Sequence, residues 1–187
     1  MTNMIFIYLT LGFWTIMAIY WIAKAMTDSQ TKISFEISSI SKLVFSALII
    51  YLPLLIGGWF SKQLFSINNL TNIIGVVACG LGIIFAIWGR ATLGKNWSGK
   101  VIIQKKHSLI QTGPYSITRH PQYTGAIIAF FGTSIVLGQI FCFAWSILLT
   151  FGLIWKAKQE EKILSQKFPA EYLEYKKKVK MVVPYIY

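Results

Sequence analysis

Charge is what this sequence has least of. Only 13% of its 187 residues are Asp, Glu, Lys or Arg, against roughly 25% in an ordinary soluble domain. A soluble globule of this length needs more charge than that to cover its surface, so the composition argues against one. Acidic residues are rarer still, six against eighteen Lys and Arg, for a net charge of +12. The only two cysteines, Cys79 and Cys142, exclude a disulfide scaffold and lack the spacing of a metal site. Each sits inside an apolar run and reads as a small packing residue. There is no low-complexity tract and no repeat with a period of 20–50 residues. G-x-G-x-x-G, P-loop, zinc and catalytic-triad patterns are all missing, so no Rossmann domain and no metal are expected.

What is abundant is apolar: 55% of residues are hydrophobic and 16% aromatic. Apolar stretches run over about 4–23, 43–60, 73–88 and 123–155. A crossing of a hydrocarbon layer about 30 Å thick takes roughly 17–25 helical residues. The first three stretches each suit one span, and the first reads as a retained anchor rather than a cleaved signal. The last is too long for one span and suits a tight hairpin turning at Gly138 and Gln139. The expected fold is therefore an all-α integral membrane protein of about five transmembrane helices with a cytosolic helical tail. Residues 1–187 form a single domain in this reading, with three spans in 1–89 and a core of loop, hairpin and tail in 90–187.

A basic excess can signal nucleic acid, but here the apolar fraction points to a lipid bilayer with positively charged flanks. No nucleic-acid partner is expected. With five spans, the 24–42 connection, the 90–119 segment and the tail share one side. That side holds 17 of the 18 basic residues, Lys62 being the exception. The positive-inside rule then places the tail in the cytosol and the N-terminus outside. In the tail, Ile163, Leu164, Phe168, Tyr172 and Tyr175 recur near helical spacing, with Pro169 placed to open a second helix. That helix is expected to lie along the membrane face.

The residues able to do chemistry gather at the same end. Both histidines, His107 and His120, precede the fourth span, and four of the six acidic residues lie between Glu160 and Glu174. Arg119 and His120 stand directly before Pro121, which holds the preceding residue extended and can open a helix. Gly125 permits a close backbone approach. A helix start carries unpaired N–H groups and partial positive charge, which suit a carboxylate. A plain lipid anchor, with Arg on phosphate and Tyr in the headgroup zone, accounts for these residues equally well. The adjacent Glu160 and Glu161 are expected to point apart on their helix, one inward and one outward. An inward carboxylate near the membrane needs a cation; a solvated helix face, with Lys156 paired to Glu160, is the simpler alternative.

Taken together, these segments resemble the isoprenylcysteine carboxyl methyltransferase family, which shares its motif with phospholipid N-methyltransferases. The matching residues are Leu93, Gly94, Trp97 and Ser98, then Gly113-Pro114-Tyr115, then Arg119-His120-Pro121-Gln122-Tyr123-Thr124-Gly125. Glu160, Glu161 and the stretch 172–179 follow the hairpin, with Pro184 near the end. The resemblance covers about 90–187. It implies an integral membrane enzyme that transfers a methyl group from S-adenosyl-L-methionine to a lipophilic acceptor. By matching position it implies cofactor contacts from Gln104, His107, Leu109, Tyr115, His120, Pro121, Gln122, Tyr123 and Glu160. Lys156 aligns with an arginine linked to substrate; lysine keeps the charge but loses the bidentate fork that suits a carboxylate. Arg119, His120 and Glu160 are positioning candidates, and no residue is assigned as catalytic base. Three alternatives are weighed against this reading. They are a phospholipid or other small-molecule N- or S-methyltransferase, a sterol-type NADPH reductase, and a non-enzymatic membrane anchor.

Overall fold

The computed structural model describes residues 4–27, 57–94 and 109–183, together with Ile49, Tyr51 and Leu55. The expected second span, 43–60, lies largely outside the described residues. Among these, regular structure is entirely helical, and β-type pairing is confined to two isolated bridges.

Five helices carry the fold. Helix α1 covers Met4–Thr27, α2 Asn69–Leu93, α3 Pro121–Leu137, α4 Ile140–Lys167 and α5 Pro169–Lys178. Their ends follow local chemistry. Asn68 and Thr71 close a capping box on α2, each side chain accepting from the other's backbone N–H at 2.9 Å. Pro121 and Pro169 occupy the first turns of α3 and α5, where a missing N–H costs nothing. Gly138 ends α3 at φ +64°, the left-handed conformation that glycine adopts without strain. The expected hairpin turn at Gly138 and Gln139 is thus present, and one continuous helix is not.

Helices α1, α2 and α4 are long and apolar enough to cross a membrane; α3 is apolar but shorter, at 17 residues. At about 1.5 Å per residue, the 28 residues of α4 reach beyond a hydrocarbon layer about 30 Å thick. Its last turns, from Lys156 onward, therefore extend past the apolar part of the helix into a polar region. The opposite end of the molecule is marked by Lys62. There Ile140 N donates to Lys62 O at 3.0 Å and Leu64 N to Gly138 O at 2.8 Å, so the hairpin turn and residues 62–64 sit together. Arg90 at the end of α2 and Arg119 before α3 lie at the other end.

The core is a crossing of α2 and α3 made of small residues. Gly75, Gly82 and Gly89 recur every seven residues on α2, facing Gly132, Gly125 and Pro121–Gln122 on α3. A Cβ on Gly82 would lie 2.5 Å from Gly125 O, and one on Gly75 2.7 Å from Gly132 O. Nothing larger than glycine fits while the two backbones stay this close. Cys79, Ala86, Ala126 and Ala129 fill the same seam and are buried. Ile83, Phe130 and Leu137 are buried beside it, while many other large apolar side chains point outward. Ile73, Val77, Leu81 and Ile84 on α2 and Ile147, Leu148 and Phe151 on α4 are exposed, as expected where lipid is the solvent and close packing of small residues holds helices together. Several buried polar groups are paired within this layer. Trp14 Nε1 donates to Thr133 Oγ1 at 3.1 Å, and Ser134 and Ser146 share a 2.9 Å hydrogen bond.

Candidate active site

At the polar end, three segments converge on the start of α3. A single 3-10 turn, Gly113–Ser116, leads into it. The end of α4 supplies the glutamates. The chain after α5 then returns along the loop: Arg119 N donates to Lys180 O at 2.9 Å, His120 N to Met181 O at 3.1 Å, and Thr124 Oγ1 to Val182 O at 2.7 Å. Tyr175 Oη reaches the Tyr115 carbonyl at 2.5 Å. Tyr172 and Tyr175 are both buried. The apolar stripe of α5 was expected on the membrane face; at these two positions it packs on the protein instead, because the returning chain gives the tyrosines a polar loop to cover.

His120 is the centre of the cluster. It is buried, and its ring stacks on Tyr123 with centroids 5.5 Å apart and planes 4° from parallel. Its Nδ1 lies 3.6 Å from Glu160 Oε2 and its Nε2 3.4 Å from Glu161 Oε1, the latter without the alignment of a hydrogen bond. Burial disfavours the charged ring, but the two carboxylates outweigh burial and hold the His120 pKa above its ordinary value. The expectation that one glutamate faces inward and the other outward is corrected here. Both turn to the same histidine, because His120 sits between the directions in which consecutive residues of α4 point.

Beyond His120 the two carboxylates part company. Glu160 Oε1 accepts from Tyr123 Oη at 2.5 Å, and its side chain is 27% exposed. Lys156, one turn earlier, holds its ammonium 5.5 Å from the Tyr123 ring centroid. Glu161, only 8% exposed, accepts from Arg119 Nε at 2.6 Å and meets Lys176 Nζ at 3.1 Å. Arg119 also donates to the Val179 carbonyl, so its guanidinium ties α4 to the returning chain. Tyr115 is buried and its hydroxyl accepts from Gln122 Nε2 at 3.3 Å. Pro121 is buried under Gly89 of α2.

Of the positions singled out in the sequence, His120, Tyr123, Glu160 and Lys156 thus form one contiguous group, flanked by Tyr115, Pro121 and Gln122. Leu109 is half-buried at the start of the described loop. Gln104 and His107 lie outside the described residues. Arg119 belongs to the Glu161 side. Two residues of this end escaped the sequence reading. Lys176 is the third member of the Glu161 group, hidden in a run of lysines. Arg90, 1% exposed at the end of α2, donates to the Gly94 carbonyl at 3.2 Å; a lone arginine in the last turn of an apolar helix was the available signal.

The known proteins that this chain is similar to are described as methyltransferases. The family described as phospholipid methyltransferase matches residues 70–171, beginning on α2 and so twenty residues ahead of the stretch that carries the sequence resemblance. A protein-S-isoprenylcysteine O-methyltransferase of Saccharomyces cerevisiae is 33% identical over 66% of this chain and 54% of its own length. Protein-S-isoprenylcysteine O-methyltransferase B of Arabidopsis thaliana is 30% identical over 79% of this chain and 71% of its own. A solved structure of a eukaryotic intramembrane Ras methyltransferase, isoprenylcysteine carboxyl methyltransferase, superposes with a TM-score of 0.60 at 26% identity, over 78% of this chain and 53% of that one. The chain thus spans about half the length of the yeast relative and of the solved structure. With the family match covering more than half of the chain and the Arabidopsis relative matched over 71% of its length, this integral membrane protein belongs to the phospholipid and isoprenylcysteine carboxyl methyltransferase family.

Proposed function

We propose that this chain is a membrane methyltransferase that moves a methyl group from S-adenosylmethionine to a lipophilic acceptor of the isoprenylcysteine type. The observation that carries this reading is the group formed by His120, Tyr123 and Glu160 at the polar end of the hairpin. A cofactor bearing an ammonium and a sulfonium needs acceptors in a site walled by apolar helices, where an unpaired charge is costly. Glu160 fits that need. It is held by Tyr123, partly exposed, and as a carboxylate retains acceptor capacity beyond the one hydrogen bond. The His120 ring and Tyr115 wall the same region. When bound, the cofactor supplies an activated methyl group. The protein's part is to bind, orient and exclude water, and good positioning is worth on the order of 7–11 kcal/mol at best.

A carboxylate acceptor needs no base, which agrees with a site in which His120 is held by two carboxylates. Residues 1–89 and 90–187 act as one domain in this reading, since α2 and α3 share a glycine seam. The basic asymmetry supports a cytosolic C-terminus and a cytosolic active site. A second reading, methylation of a phospholipid, is favoured by Lys156 over the Tyr123 ring: lysine is a point-charge partner for phosphate rather than a fork for carboxylate. Transfer of labelled methyl from S-adenosylmethionine to an S-farnesylated cysteine with a free carboxylate, run beside phosphatidylethanolamine, tests both. Label in the farnesylated cysteine is expected. Label only in the phospholipid would select the second reading, and label in neither would refute both.

A further inference from the structure

The face of α4 turned away from Glu160 carries a separate feature. At 100° per residue, positions 158, 161, 162 and 165 share one side of the helix and 156 and 160 the other. On the former side lies an open cavity of about 550 Å³, lined by five cations, Arg119, Lys158, Lys162, Lys176 and Lys180, and a single carboxylate, Glu161. That carboxylate is already answered by Arg119 at 2.6 Å and Lys176 at 3.1 Å. Among the described residues, Lys158, Lys162 and Lys180 make no ion pair. Lys158 and Lys162 are four apart on one helix face, an arrangement that repels, and Lys180 faces them from the chain returning after α5. Nothing in the fold requires three uncompensated ammonium groups around one concavity. Their mutual repulsion is a cost that a bound anion removes.

We propose that this cavity binds a phosphate group, carried by the headgroup of an anionic phospholipid. Several lysines converging from different segments suit a phosphate, which offers acceptor oxygens in several directions to point charges. Depth favours the lipid as its source. Trp155 is 66% exposed on α4, the position of an interfacial aromatic. Lys158 and Lys162 follow it within two turns, about 4–11 Å along the axis, which is the level of the headgroups. The site is distinct from the one holding Glu160 and does not depend on methyl transfer.

The test compares two triple variants of the full chain with equal loss of charge. Lys158→Gln/Lys162→Gln/Lys180→Gln empties the cavity of its unpaired cations. Lys167→Gln/Lys177→Gln/Lys178→Gln removes lysines that do not line it. Each protein is reconstituted in phosphatidylcholine nanodiscs doped with phosphatidylglycerol, extracted in non-ionic detergent, and scored by native mass spectrometry for retained phosphatidylglycerol. In parallel, inorganic phosphate is titrated calorimetrically into the lipid-free proteins. The unsubstituted chain and the control variant are expected to retain phosphatidylglycerol, with a loss of about ten-fold or more in the cavity variant. Saturable phosphate binding by the unsubstituted chain and control alone, without lipid retention, would keep the phosphate site and assign it to a soluble source. Equal losses in the two variants, or neither ligand bound by the unsubstituted chain, would overturn the proposal.

Discussion

The seam between α2 and α3 and the polar end around His120 are held together by opposite means. In the seam, Gly75, Gly82, Gly125 and Gly132 bring two backbones into contact with almost no side chain between them. No hydrophobic effect drives that contact in lipid, so stability comes from close packing summed over many atoms. At the polar end, a few charged groups make a small number of short contacts, with Glu161 alone meeting Arg119, His120 and Lys176. The seam has no room for added volume, and at the polar end the Glu161 group depends on its paired charges. A fold built this way separates its scaffold from its chemistry: glycines set where α3 begins, and charges decide what its start can bind.

The largest effect is expected in the seam. Gly82→Leu drives a side chain into the Gly125 carbonyl, and overpacking costs about 1–3 kcal/mol even where side chains can yield. Here backbone must yield, so little folded protein should survive size-exclusion chromatography in detergent. Gly12→Ala is the control, since a Cβ there meets nothing within 4 Å; its elution and thermal midpoint should be unchanged.

Next comes Glu161→Gln, which leaves the largely covered Arg119 without its carboxylate. Removing one partner of a buried pair costs about 3–5 kcal/mol. A lowered thermal midpoint and faster proteolysis of the returning chain after α5 are expected. A midpoint equal to that of the unsubstituted protein would show that the pair does not hold the tail.

Glu160→Gln should separate from Glu161→Gln in kind. Glu160 is more exposed and, in the proposed function, faces the cofactor. Binding of S-adenosylmethionine is expected to weaken by about 1–3 kcal/mol, the scale of hydrogen bonds to charged groups, with only a small change in thermal midpoint. The demethylated product should weaken alike if the carboxylate meets the ammonium, which both molecules carry. A loss confined to the cofactor would place it on the sulfonium.

The smallest effect is a pH dependence. The two glutamates raise the His120 pKa in the folded protein above its ordinary value of 6.5. The stability contributed by the charged ring is therefore complete below the ordinary value and is lost as pH rises through the higher folded-state value. The thermal midpoint of the unsubstituted protein should fall across that interval relative to His120→Gln. Parallel curves for the two proteins would mean that His120 is not charged between its carboxylates.

Much of this was legible in the residues. Gly138-Gln139 marked the hairpin because a 33-residue apolar run cannot be one span and glycine ends helices. Pro169 marked the break in the tail, and the string from Arg119 to Gly125 marked the site. The seam was not read, although Gly75, Gly82 and Gly89 repeat every seven residues. Glycine spacing in an apolar helix signals a close partner without saying which helix supplies it. The α5 tyrosines were misplaced for a related reason: an amphipathic stripe reveals that a face is covered, not what covers it.

Composition and order along the chain alone determined that this is a membrane protein of helices, that its histidines and most of its carboxylates fall in two stretches beside the hairpin, and which family string it carries. Those properties are local, set by hydropathy, turn residues and residue identity. Tertiary structure decided that both glutamates reach His120, that Arg119 pairs with Glu161 at the edge of an open cavity, and that three lysines without an ion pair among the described residues line that cavity. Each of these depends on where the end of α4 and the chain after α5 meet the start of α3. Those segments lie some 40–60 residues apart in sequence, and hydrogen bonds over that separation are set by packing in three dimensions rather than by local pattern.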